Sequence, residues 1–119
     1  MPKYPTSEGK MIDKKVIDRK VAKAKQSYVQ NFYDEHGYHF CERTNRSDLP
    51  LDCSHIISVR MCQATGRSEL AWNEQNIELL NRHAHMEIER WSNDKRESWY
   101  HARKDGRTFD EFIINQNQQ

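Results

Sequence analysis

Three residues in this chain have the types and spacing to do chemistry together. His55 closes the run Cys53-Ser54-His55-Ile56-Ile57, Asn76 follows 21 residues later, and His85 lies nine residues beyond Asn76. Hydrolysis of a phosphodiester needs a base to take a proton from water, positive charge to neutralise the phosphate, and stabilisation of the leaving oxygen. A histidine suits the first task, because its unperturbed pKa of about 6.5 leaves it neutral near physiological pH. One divalent cation on a second histidine suits the other two. An asparagine between them is a residue for bracing a turn.

These side chains need elements to hold them. Residues 1–7, with Pro2 and Pro5, are expected to be loose, and a helix is expected from about Glu8 to Asp34. Its apolar stripe would be Ile17, Val21, Ala24, Tyr28 and Phe32, at steps of three and four, with Gly37 as the stop. Tyr38 to Glu42 reads as a short strand, and Thr44 to Pro50 as a turn. Leu51 to Val59 reads as a second strand, Arg60 to Thr65 as a helical turn closed by Gly66, and Ser68 to Gln75 as a connection with Leu70 and Trp72 turned inward. Ile77 to Leu80 is a third strand candidate. Asn81 would cap a helix running through Ile88 and Trp91 towards Ala102, stopped by Gly106. Thr108 and Glu111 form a capping-box sequence for a last helix carrying Phe109, Phe112 and Ile113, after which Asn115 to Gln119 should fray.

The segment Asn76-Ile77-Glu78-Leu79-Leu80-Asn81-Arg82-His83-Ala84-His85, taken with the apolar run ending at His55, resembles the HNH endonucleases. The resemblance spans roughly residues 38–92. It implies an α+β fold with a ββα-metal (His-Me finger) core flanked by N-terminal and C-terminal helices. The boundaries are then a basic N-terminal helix over 1–36, the core over 38–92 and a helical extension over 93–119. By the same resemblance His55 is the general base, Asn76 the catalytic brace and His85 the metal ligand, with His83 a rival two residues before it. The residue before the base is Asp or His in the family and binds metal. Here it is Ser54, so Glu89, one helical turn after His85, is a candidate ligand beside Ser54, with Asp52 a weaker substitute. Many relatives carry paired cysteines for structural zinc. Here Cys41 fills one such position and Thr44, Asn81 and Ala84 the others, so that zinc site is not expected.

The implied function is metal-dependent cleavage or nicking of DNA, with Mg²⁺ or Mn²⁺ as the first choice of ion and Zn²⁺ or Ni²⁺ as further options. Net charge is only +1, yet residues 1–25 hold eight Lys/Arg against three Asp/Glu. Such a basic segment suits phosphate contact, and Lys14, Lys15, Lys20, Arg60, Arg67 and Arg82 are the candidate DNA-binding residues. Short free-standing chains of this type are frequent in bacteriophages. Three unpaired-looking cysteines, Cys41, Cys53 and Cys62, argue against a disulfide framework and read as small buried hydrophobes. With no apolar run of membrane length and no secretory h-region, the expected setting is cytoplasmic, inside a host cell for a viral protein. The alternative is a non-catalytic DNA-binding or accessory module with a decayed site.

Overall fold

The structure is a computed structural model in which residues 2–117 are described. It is an α+β fold with two small antiparallel sheets. The first is a hairpin of β1 (Lys3–Pro5) and β2 (Met11–Asp13), paired Lys3 to Asp13 and Pro5 to Met11. The N-terminal residues are therefore ordered into a strand pair instead of a loose lead and a helix start. The loop closes on itself: Thr6 N–H donates to Lys10 O at 2.8 Å, and Gly9, at φ 83°, donates to Thr6 O at 2.9 Å. Glycine takes that left-handed conformation without a Cβ penalty. The Ser68 hydroxyl fastens the hairpin to the body by donating to Pro5 O at 2.8 Å.

Helix α1 (Lys14–His36) begins six residues later than the sequence pattern implies and ends at Gly37, whose N–H donates to Tyr33 O. Ile17 and Phe32 at the ends of the stripe are buried, while Val21, Ala24 and Tyr28 are half-buried. Residues 38–42 do not form the expected strand. Cys41 N–H donates to Arg46 O and Asn45 N–H to Cys41 O, each at 2.8 Å, so the backbone of Cys41 closes a tight turn, and the one bond from Glu42 N–H to Leu79 O at 2.9 Å does not make a ladder.

The second sheet pairs β3 (Leu51–His55) with β4 (Ile77–Asn81), with Ser54 opposite Glu78 and His55 opposite Ile77. β3 is shorter than the apolar run predicts, because Ser58 caps α2 (Val59–Ala64) by accepting from Met61 N–H at 3.2 Å. Single 3₁₀ turns at Ser68–Trp72 and Glu74–Asn76 carry the chain back to β4. Asn81 caps α3 (Arg82–Glu89) as expected, its Oδ1 accepting from Ala84 N–H at 2.9 Å. The single long helix to Ala102 is, however, two. Ser92 accepts from Lys95 N–H and starts α4 (Asn93–Lys104), so a second cap ends the first helix at Arg90. The capping box of α5 (Phe109–Asn117) forms, with Thr108 Oγ1 accepting from Glu111 N–H at 3.2 Å. The expected fraying of the tail concerns residues that are helical to Asn117, with Gln118 and Gln119 outside the described residues.

Two apolar clusters support the β3–β4 hairpin. One gathers Ile17, Ile56, Ile57, Cys62, Ala71, Trp99, Tyr100 and Phe112. The other, Cys41, Leu80, Ala84 and Ile88, lies between β4 and α3. Half-buried Trp91 packs against both, from the junction between α3 and α4. Trp99 is buried, while Trp72 and Trp91 are half-buried. The cysteines are all free, with Cys41 and Cys62 buried and Cys53 half-buried. Among the described residues no helix is long and apolar enough to cross a membrane.

Candidate catalytic and metal site

His55 is the last residue of β3. Its Nε2 lies 2.8 Å from the carbonyl oxygen of Ala71, in the first 3₁₀ turn. A carbonyl can only accept, so Nε2 carries the proton and the neutral ring keeps its lone pair on Nδ1. Among the described residues nothing hydrogen-bonds that nitrogen. Burial pushes the imidazole pKa below its ordinary value; the Ala71 bond opposes this, and the charges of Lys25 and Arg96 add to the lowering. The ring is thus a neutral base of fixed tautomer.

Asn76, fully buried, holds the turn after His55. Its Oδ1 accepts from Ile57 N–H at 2.7 Å, and its Nδ2 donates to Ile57 O at 2.9 Å and Leu70 O at 3.0 Å. Its own carbonyl accepts from Ile56 N–H at 2.9 Å. Asparagine presents a donor and an acceptor on one short stem, which lets it pair with both backbone groups of Ile57 at once. Arg96 of α4 grips the same turn from the other side, donating from Nε to Ile56 O at 2.6 Å and from Nη2 to His55 O at 2.9 Å. Nothing in the local sequence marks Arg96; only the docking of α4 brings it there.

His85, in the first turns of α3, stands between two carboxylates. Its Nδ1 is 3.2 Å from Asp52 Oδ2 and its Nε2 is 3.2 Å from Glu89 Oε1. The i, i+4 spacing puts Glu89 on the same helix face, and the period of two in β3 puts Asp52 on the face shared with Ser54. That alternation was legible in the sequence and identifies Asp52 as a neighbour of α3. Arg82 Nη2 lies 3.6 Å from Asp52 Oδ2. His83 is exposed.

Ser54 is 1% exposed and its hydroxyl has no hydrogen-bond partner among the described residues. It faces Glu78 across the sheet, and Glu78 is paired with Arg43 at 2.8 Å, both side chains buried. Arg43 packs against both Trp91 and Phe109, with its guanidinium carbon 4.7 and 4.3 Å from their ring centres. Ser54 therefore belongs to a buried polar layer beneath α3.

The structure brings His85, Glu89 and Asp52 together, and separately joins His55 to Asn76. Cys53, two residues before His55 on the same strand face, donates its thiol to Lys25 O of α1 at 3.9 Å, so His55 belongs to the α1 side of the hairpin and His85 to the α3 side. Among the described residues no three His, Cys, Asp or Glu side chains converge as a ready metal cage. The donors available to a divalent cation are His85 Nε2 and the Glu89 carboxylate, a two-point chelate on one helix that would leave the remaining positions to water and phosphate oxygens.

Of the candidate DNA contacts, Lys15, Arg60 and Arg82 are exposed. Lys14 is paired with Asp18 at 2.8 Å on the surface, and Lys20 lies 5.2 Å over the Trp72 ring. Arg67 is held by Glu97 through both terminal nitrogens, which commits it to tethering α4. Compared with known proteins, the chain matches no family model, no curated protein and no solved structure.

Proposed function

We propose that this protein is a metal-dependent endonuclease that hydrolyses phosphodiester bonds in DNA, with β3, β4 and α3 acting as a ββα-metal core. The observation that carries the reading is the His55–Ala71 hydrogen bond, which leaves a neutral imidazole with its Nδ1 lone pair free. His55 Nδ1 takes a proton from water, the resulting hydroxide attacks phosphorus, and the phosphorus–oxygen bond to the leaving group breaks as that oxygen gains a proton from solvent. Asn76 and Arg96 keep the backbone from the base through Ile57 rigid, so that its aim costs little at the moment of reaction. A Mg²⁺- or Mn²⁺-class ion on His85 and Glu89 would supply charge neutralisation at the phosphate and leaving oxygen, which requires the substrate to bridge from the α3 side of the hairpin to His55 on its α1 side. Lys15, Lys20, Arg60 and Arg82 give backbone affinity with little sequence readout.

The test is nicking of supercoiled plasmid with Mg²⁺ or Mn²⁺, and its loss with a chelator. The thin donor set and the sealed Ser54 favour one rival, a DNA-binding module without catalysis. Salt-dependent DNA binding with no metal-dependent nicking would select that rival.

A further inference from the structure

We propose that Asp52 is the positioning residue of the metal site, fixing the tautomer of His85 so that Nε2 is offered to a divalent cation. The proposal rests on the nuclease reading for the identity of the ion's task, but its geometry stands on three side chains. Asp52 Oδ2 lies 3.2 Å from His85 Nδ1, and Glu89 Oε1 lies 3.2 Å from His85 Nε2. The two carboxylates therefore address opposite nitrogens of one ring. A single ion on Nε2 can be shared with Glu89 but not, through that ring, with Asp52. A carboxylate on the far nitrogen accepts the Nδ1 proton, orients the ring and makes the other nitrogen a better ligand.

The strand supplies the rigidity this task requires. Asp52 sits opposite Leu80 in the β3–β4 ladder, and Leu80 packs under α3 with Ala84 and Ile88. Distance and direction from Asp52 to His85 are thus set by the same apolar contacts that seat the helix. Exposed Arg82 lies 3.6 Å from the same carboxylate oxygen of Asp52. Glu89, more exposed than Asp52, is free to change its partner from imidazole to cation.

The experiment uses the full chain and needs no turnover. Mn²⁺ affinity is measured by calorimetry, and the His85 tautomer by ¹⁵N chemical shifts in the metal-free protein at a pH where the ring is neutral. Wild type should show the proton on Nδ1. Asp52→Ala should mix the tautomers and weaken Mn²⁺ binding by roughly 10- to 100-fold. Asp52→Asn keeps a carbonyl oxygen as acceptor, so it should retain the tautomer and most of the affinity. If Asp52 were itself a ligand, the Asn variant would lose as much as the Ala variant, and the positioning role would be overturned. Equal Mn²⁺ affinity in wild type and Asp52→Ala, or a metal-free His85 protonated on Nε2, would overturn it as well. Asp52-dependent Mn²⁺ binding without plasmid nicking would uphold this inference and remove the nuclease reading.

Discussion

His55 donates its Nε2 proton to the carbonyl of Ala71, 16 residues along the chain, and that one bond at 2.8 Å decides which nitrogen can act as a base. Burial lowers the pKa of the same ring. With His55 as the proposed general base, nicking would depend on the neutral form, so the acidic limb of the pH–rate profile should fall below about 6.5, the ordinary histidine value. A limb centred above that value would contradict the buried, carbonyl-bound ring. Stability follows the same sign. The unfolded chain binds more protons at His55 than the native one does between the lowered pKa and about 6.5, so this residue makes stability rise with pH across that window. Replacing His55 with Gln should flatten that part of a denaturant-midpoint profile.

His55→Ala should reduce plasmid nicking by roughly 10²- to 10⁴-fold, the usual range for loss of a general base. DNA affinity measured by fluorescence anisotropy should stay near wild type, because the charged contacts lie elsewhere. Wild-type nicking in this variant would take His55 out of the mechanism.

Asn76→Ala should destabilise the fold by on the order of 3 kcal/mol, since it removes three hydrogen bonds from side chain to backbone and strands both backbone groups of Ile57 in the core. Urea unfolding followed by circular dichroism measures it. Asn76→Asp keeps the acceptor for Ile57 N–H but loses the donor to Ile57 O and Leu70 O, so its midpoint should also fall.

Basic residues should separate into two groups. Lys15→Gln and Lys20→Gln should each lower the log–log salt slope of DNA binding by about 0.9 if each side chain contacts one phosphate. Arg67→Gln should leave the slope unchanged and lower the melting temperature, because Arg67 is engaged with Glu97. Point substitutions are required here. Deleting residues 1–25 would also remove the β1–β2 hairpin and buried Ile17.

Ser54→Asp should lower thermal stability by several degrees in metal-free buffer. The new carboxylate would be buried opposite Glu78, and two facing buried acids repel. If a cation binds beside α3 as proposed, added Mn²⁺ should recover part of that loss in a thermal melt. No recovery would mean that the ion does not bind near β3.

The local chemistry of the chain was written in the sequence. Asn81 and the Thr108–Glu111 box start helices because their side chains satisfy backbone donors one turn away, and Gly37 ends α1 because it alone adopts the left-handed stop cheaply. The i, i+4 spacing likewise put His85 and Glu89 on one helix face, while the approach of Asp52 to His85 came from the packing of α3 on β3. Other features depended on partners distant in sequence. Residues 38–42 have strand composition, but the Cys41–Arg46 turn takes the backbone bonds of Cys41 and leaves a single bond to β4, from Glu42 N–H to Leu79 O. The N-terminal hairpin is fastened by Ser68, and the break at Ser92 lets Trp91 pack against both apolar clusters. The carbonyl that fixes the His55 tautomer comes from Ala71, and the guanidinium that clamps its backbone from Arg96, 41 residues away. No local pattern encodes those pairings, because a carbonyl looks the same at every residue and only close packing decides which one faces the imidazole.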